Sequence, residues 1–422
     1  MKIINTDLSV FLLILIFYSF GTFGFLNLFD IRILVQVVVM AFSLILILLA
    51  NPRLGSKNAV FVLAFFILYA LGDIFNNNNL YNAMQAEVML FSSMIILLAN
   101  VKIIKNIGKI IVIITCFLCF LMLVAYFYYS IFPDEFSSAN FDIYSSETGS
   151  NRIYPSNLMD WISFTSGDGF DFYHRTYIRL KGYSNEPSST IVHYFCPVVI
   201  ALLLGKKYIY MSIFIIAVNI IAIASFTAII IIGVATCIYL LIKYMKFKYS
   251  LVVKALIIFL IILLLNEELT LSIFEYIGEK LSDILGFDLV QRKIGNNLHD
   301  RQSGIINGIY MLFKFPIGYP SINLGDGAGL LYIVSSYTGY IGVIILGIFL
   351  YKNYINCEKQ YEKYNLFNVR YAICLGTAII VIALFVSGYG WFRPPGIIIL
   401  LLFYRIFQKD FMEYILYSSN NS

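Results

Sequence analysis

The sequence predicts an all-α, polytopic membrane protein with about twelve transmembrane helices and two long outer loops. Three features predict it. The 422 residues are 60% hydrophobic and only 13% charged, with a mean hydropathy of +0.84; a soluble domain is nearer half apolar and a quarter charged. Apolar runs of about 17 to 24 residues recur along the chain, and roughly 20 helical residues cross a bilayer. Lysine and arginine collect in alternate connections between the runs.

Taken in order, the spans are expected at about 8–29, 33–50, 58–74, 85–100, 109–132, 188–204, 208–224, 226–243, 250–266, 328–350, 370–388 and 395–408. Lys2 is the only basic residue ahead of the first run. That run is too long for a signal-peptide core and is expected to be retained. The basic connections hold Arg53 and Lys57, then Lys102, Lys105 and Lys109, then Lys206 and Lys207. Lys243, Lys246 and Lys248 follow, and lastly Lys352, Lys359, Lys363 and Arg370. The opposite short connections carry only Arg32 and Arg393. The positive-inside rule places the basic loops and both termini in the cytoplasm. The long polar segments 133–187 and 267–327 then face outward, as a cap on one transmembrane domain spanning 1–422.

The six cysteines (Cys116, Cys119, Cys196, Cys237, Cys357 and Cys374) fall in spans or on the cytoplasmic side. Cys116 and Cys119 have the C-x-x-C spacing, but inside an apolar helix they read as packing residues. Neither outer loop contains a cysteine to staple it. The Ser- and Asn-rich C-terminus reads as a frayed tail. The net charge of +5 follows the positive-inside bias and does not point to nucleic acid.

The unusual polar residues sit in or beside the outer loops: His174, His193 and His299, with Arg152, Arg175, Arg179, Lys181, Arg292, Lys293 and Arg301. No phosphate loop and no H-E-x-x-H pair occurs. A reaction on the outer side has no ATP, so it runs on an energy-rich bond already in the substrate. In "RLKGYSNEPSSTIVHYF" (179–195), Pro187 suits the first position of a helix, where its missing N–H is not needed. Glu186, Thr190 and His193 then share one helix face. A helix N-terminus beside Arg179 and Lys181 suits a phosphate or pyrophosphate, which arginine grips with two parallel hydrogen bonds. The plainer alternative is a capped span start whose basic residues meet lipid phosphate.

The second outer segment opens with "LTLSIFEYIGEKLSDILGF" (269–287), where Ile273, Ile277, Leu281 and Ile284 share one face. That pattern predicts a helix lying in the interface as an anchor. Then comes "HDRQSGIINGIYMLFKFPIGYPSINLGDGAGLLYIVSSYTGYIGVI" (299–344). Asp326 lies near the outer end of the tenth span, a costly place for a charge; capping is the alternative role. Trp161, Tyr173, Tyr177 and Trp391 are placed to stack on sugars or to form an interfacial aromatic belt.

These stretches resemble one family. "RLKGYSNEPS" is similar to the R-x-x-G-x-x-x-E-P-S block of the O-antigen polymerase (Wzy-type) and O-antigen ligase superfamily, with Gly182, Glu186 and Pro187 at its fixed positions. "DRQSGIINGIYMLFKFPIGYP" resembles a second block, an arginine, a helix and a P-x-G turn. "DGAGLLYIVSSYTGYIG" resembles a third, an acid and a helix with G-x-x-G at Gly339 and Gly342. "SFTA" (225–228) is similar to the family's small turn between spans. The resemblance implies a GT-C-like membrane glycosyltransferase in the inner membrane of a bacterium. Its donor would be a glycan on undecaprenyl pyrophosphate at the outer face. A polymerase passes the chain to the next lipid-linked repeat unit, with a chain-length regulator as possible partner; a ligase passes it to lipid A core sugar. The His-Asn pair typical of ligases is replaced by Ala328 and Gly329, which favours the polymerase branch.

On that reading Arg179 and Arg301 carry the leaving pyrophosphate, helped by Arg175 or Lys181. Glu186 and Asp326 are the candidates for general base, followed by His193 and His299; Glu186 could instead orient Arg179. No metal and no cofactor are expected, because the outer loops hold few clustered carboxylates and arginines can stand in for a divalent ion. A flippase or other transporter for lipid-linked oligosaccharide is the alternative from another class. Transporters concentrate charge near the bilayer midplane, whereas these spans are almost free of it. Lys254, near a span end, can snorkel.

Overall fold

The computed structural model describes residues 38, 96–97, 99–132, 166–172, 175–182, 194–222, 226–266, 310, 312–316, 330–385 and 401–420. They form an α-helical bundle with one β-hairpin. In chain order the elements are α1 (Val101–Ile131), β1 (Ser166–Phe172), β2 (Arg175–Gly182), α2 (Cys196–Leu204), α3 (Lys206–Ile221), α4 (Phe226–Met245), α5 (Tyr249–Leu265), α6 (Leu330–Lys363), α7 (Phe367–Phe385) and α8 (Lys409–Asn420). A helical stretch at 401–406 runs up to α8.

Among the described residues three helices are long and apolar enough to cross a membrane: Val101–Ile131, Ala228–Met245 and Gly339–Lys363. Lys207–Ile221, Tyr249–Ile262 and Phe367–Ile382 are shorter and apolar. The spans expected at 8–29 and 58–74 lie outside the described residues, as does the amphipathic stretch 269–287; those expected at 33–50 and 85–100 are described only at residue 38 and at residues 96–97 and 99–100.

Helix α1 shows why the hydropathy is so high. Ile104, Ile107, Ile111, Leu118, Met122, Ala125 and Tyr129 are buried on one side. Ile113, Phe117, Phe120, Val124, Phe127 and Ile131 recur at three- and four-residue steps on the other, and all are exposed. A helix in water keeps its outer face polar. An exposed apolar stripe from Ile113 to Ile131 needs a cover, and lipid supplies one. Helices α5 and α6 repeat the pattern with Ile258, Phe259 and Ile262, and with Ile341 and Ile344.

The sequence-based boundaries shift in three places. The span expected at 328–350 continues as α6 to Lys363, so Lys352, Lys359 and Lys363 ride on its later turns and are not in a loop. The helix expected from about 109 begins at Val101, because the Asn100 side chain accepts the Ile103 N–H (2.9 Å) and caps it. Lys102, Lys105 and Lys109 therefore ride on the first turns of α1 and are not in a loop. Its 31 residues reach about 46 Å at 1.5 Å per residue, enough to carry these turns beyond a hydrocarbon core of about 30 Å. Pro133, next but one after Ile131, disfavours further helix.

The third shift is at the C-terminal end: α8, a helix not expected from sequence, runs to Asn420, takes in Ser418, Ser419 and Asn420 of the Ser- and Asn-rich end, and buries Phe411, Met412 and Ile415. The helix has polar residues on its other side, which is what hid it from a hydropathy reading. It packs on α1, α2 and α6. Lys105 Nζ lies 5.1 Å from the centre of the Tyr414 ring, and Lys363 donates to Glu413 (2.7 Å). The Lys363 ammonium holds the Glu413 carboxyl below its ordinary range, but both groups are exposed and the pair adds little. Arg405 reaches further, donating to the Ala99 carbonyl at 3.1 Å.

Helix α2 is the centre of the bundle. Every residue from Cys196 to Leu203 is buried, and α2 packs on α1, α3, α7 and α8. The Asn368 side chain of α7 donates to the Leu202 carbonyl at its end (2.9 Å). Two buried polar groups donate to their own helices: Asn219 to Ile215 O (2.8 Å) and Ser212 to Ile209 O (2.7 Å). That is the cheapest way to hold a polar side chain in an apolar layer. Arg370, assigned to a basic loop from sequence, has a structural task. Its Nε donates to Tyr364 O (2.9 Å) and Tyr361 O (3.3 Å) and so satisfies carbonyls at the end of α6. The C-x-x-C pair lies within α1, with Cys119 buried, as expected of packing residues.

Helices α7 and 401–406 meet at a glycine. A Cβ on Gly376 would stand 2.9 Å from two ring carbons of Phe407, a residue with no exposed surface. Overpacking a rigid site costs about 1–3 kcal/mol, while replacing a helical glycine gains about 1 kcal/mol. Gly376→Ala is therefore expected to lower the thermal midpoint of the detergent-purified protein. Gly233→Ala, on a glycine with nothing within 4 Å of its Cβ position, is the control and does not lower it.

Candidate functional site

The hairpin 166–182 brings most of the described candidate residues together. It was not expected from sequence, although the period is there: Phe170 and Phe172 alternate with Asp171, and Arg175, Tyr177 and Arg179 alternate with Thr176, Ile178 and Leu180. The strands are antiparallel, with Asp168 opposite Arg179, Phe170 opposite Tyr177 and Phe172 opposite Arg175. Directly opposed residues share a face of the ribbon, and residues two apart along a strand do too. One face thus collects Asp168, Phe170, Phe172, Arg175, Tyr177 and Arg179. The other holds Gly167 with Leu180, Gly169 with Ile178 and Asp171 with Thr176. Two guanidinium-bearing residues and three aromatic ones fall on one side by strand period alone.

The regular register stops at one step. Ser166 opposes Gly182 while Gly167 opposes Leu180, so Lys181 is the extra residue of a bulge. A bulge breaks the strict alternation, and Lys181 does not continue the Arg175–Arg179 row in register. A lone two-stranded ribbon is marginal in water; here β2 lies against α1, which ties the ribbon to the bundle.

Of the sequence-based candidates, Arg175, Arg179, Lys181 and Gly182 are on β2. Glu186, Pro187, His193, His299, Arg301 and Asp326 lie outside the described residues, and so do Trp161, Tyr173 and Trp391. The helix anticipated from Pro187 is described from Tyr194 onward. Asp168 was missed. Nothing in a one-dimensional reading singles it out, since it lies eleven residues from Arg179 and only strand register makes them partners.

The second and third blocks meet at a backbone bond. Residues 312–314 are helical and lead to Phe315 and Pro316. The Pro316 carbonyl accepts the N–H of Tyr340 at 2.9 Å. Tyr340 follows Gly339, where α6 is interrupted: φ is 59° and ψ is −152°. That region of backbone space is essentially reserved for glycine. The break removes intrahelical partners from nearby backbone groups, and Pro316 supplies one of the replacements. Unpaired backbone is tolerated at membrane depth only where protein covers it, and Gly339 is buried. Lys314 stands 5.7 Å from the Tyr310 ring centre and 5.4 Å from that of Phe315. The fourth resemblance, "SFTA" (225–228), runs into the start of α4 at Phe226; its Ser225 lies outside the described residues.

No family model, curated protein or solved structure matches this chain. The functional reading therefore rests on its own residues and geometry.

Proposed function

We propose that the protein is an oligosaccharide repeat-unit polymerase: a metal-independent membrane glycosyltransferase with about twelve spans and a GT-C-like architecture. It works at the outer face of a bacterial inner membrane, with both termini cytoplasmic. The donor is a growing glycan on undecaprenyl pyrophosphate, and the acceptor is the next lipid-linked repeat unit. The observation that carries this reading is the single ribbon face shared by Arg175, Arg179 and three aromatic residues, in the stretch similar to the polymerase block. Arginine pairs suit a diphosphate, and aromatic faces suit sugar rings.

The bond from the sugar C1 to the pyrophosphate oxygen breaks, and an acceptor hydroxyl oxygen forms the new bond to C1. The hydroxyl proton passes to Glu186 or Asp326. The electron pair leaves with the pyrophosphate, and Arg179 and Arg301 hold the charge as it develops. Arg175 and Lys181 add positive potential. His193 and His299 sit among the outer polar residues as further substrate contacts. A chain-length regulator is the expected protein partner.

The test is the lipid-linked glycan pool of a strain lacking this protein. Single repeat units exposed on the outer side are expected. Units trapped on the inner side mean a flippase, and long unattached chains mean a ligase; either result replaces the polymerase reading.

A further inference from the structure

We propose that Asp168 is a positioning residue for Arg179, acting across the β1–β2 ladder; the inference rests on the glycan-transfer reading above. Asp168 and Arg179 are direct register partners, set between the Gly169–Ile178 and Gly167–Leu180 pairs. Directly opposed residues of an antiparallel pair have Cβ atoms about 4.5–5.5 Å apart, and opposite charges there attract. The ribbon offers an internal comparison. Its other described acid, Asp171, opposes Thr176 on the opposite face, and its other arginine, Arg175, opposes Phe172. Of the two described acids, Asp168 alone falls in register with a cation.

Arginine is long and flexible, and a transition-state contact depends on where its guanidinium is held. A displacement of about 1 Å can cost about 100-fold in rate. An acid across the ladder limits the orientations available to Arg179 while the pyrophosphate leaves. The glycines on either side of Asp168, Gly167 and Gly169, belong to the other face of the ribbon. If Asp168 orients Arg179, Glu186 need not do so and remains available to take the acceptor proton.

The experiment uses the full-length protein in detergent with purified lipid-linked repeat units, and reads initial rates of chain growth alongside protein abundance. Asp168→Asn is expected to lower kcat about 10- to 100-fold with a smaller change in KM. Asp168→Glu restores most of the rate, and Asp171→Asn leaves it unchanged. In an Arg179→Ala background, Asp168→Asn has no further effect. An equal loss in both backgrounds overturns the proposal, since Asp168 would then act independently of Arg179. A separate Asp168→Cys/Arg179→Cys protein is oxidised and its peptides are read by mass spectrometry. A disulfide between the two positions supports the register, and its failure to form overturns it. Should the disulfide form while Arg179→Ala transfers glycan normally, the positioning role and the catalytic role of Arg179 both fall, with the strand pairing intact. Glycan transfer lost in Arg179→Ala but insensitive to Asp168→Asn overturns this inference alone.

Discussion

Arg179→Ala protein is expected to reach the membrane in normal amount and to leave lipid-linked glycan as single units. On the proposed mechanism, negative charge builds on the pyrophosphate oxygens as the C1–oxygen bond breaks, and a preset cation there is worth most in the transition state. Removing one such donor typically costs about 10²–10³ in rate, or about 3–4 kcal/mol. Arg179 lies between residue pairs in regular register, Gly169–Ile178 on one side and Gly167–Leu180 on the other. Arg301→Ala is expected to behave alike. Arg175, which opposes Phe172, has no acid in register, and Arg175→Ala should weaken substrate binding more than turnover. Gel analysis of extracted glycans checks all three. Normal polymer length in both the Arg179→Ala and Arg301→Ala strains ends the assignment.

Gly339→Val has the next largest expected effect, and it acts on the protein itself. At φ 59° and ψ −152° a residue with a Cβ is held in a region that costs about 1–3 kcal/mol, and a β-branched one falls at the top of that range. Two outcomes compete. Either the break persists with its strain, or α6 straightens, and then the N–H of Tyr340 turns back into its own helix and leaves the Pro316 carbonyl. Both lower stability, and the second also frees the turn that the second motif makes. A fall of several degrees in the thermal midpoint is expected, with lost polymer growth. Gly347→Val, eight residues on, makes a comparison at a position without positive φ and with nothing within 4 Å of its Cβ position, and its midpoint should fall less.

The helices were legible because both sides of each are apolar, so hydropathy alone finds them. The expected spans at 208–224, 226–243 and 250–266 correspond to α3, α4 and α5 within a few residues. The start of α1 was not legible, because three lysines in one turn after another look like a loop until Asn100 is recognised as a cap. Helix α8 escaped for the opposite reason, since its exposed side is polar and its buried residues are only Phe411, Met412 and Ile415 among the described ones. At the candidate site, residue types pointed to Arg175, Arg179, Lys181 and Gly182, and the strands carry them. Partnership did not follow from types. Asp168 opposite Arg179 and Pro316 against Tyr340 are facts of register and of long-range folding, and a single sequence contains no direct record of either. Equally, the G-x-x-G spacing identified Gly339 without revealing that the helix breaks there.

Arg405 binds the carbonyl of Ala99, 306 residues earlier, and α8 then packs across α1, α2 and α6. During synthesis, each apolar helix can leave the translocon for lipid as it emerges, yet the bundle cannot be clasped until this distant stretch has been translated. The α1–α2–α3 packing can form as those helices emerge, and the Arg405 tie and the α8 cover are added last. A premature stop codon just before residue 405 would leave the earlier helices packed but without this tie.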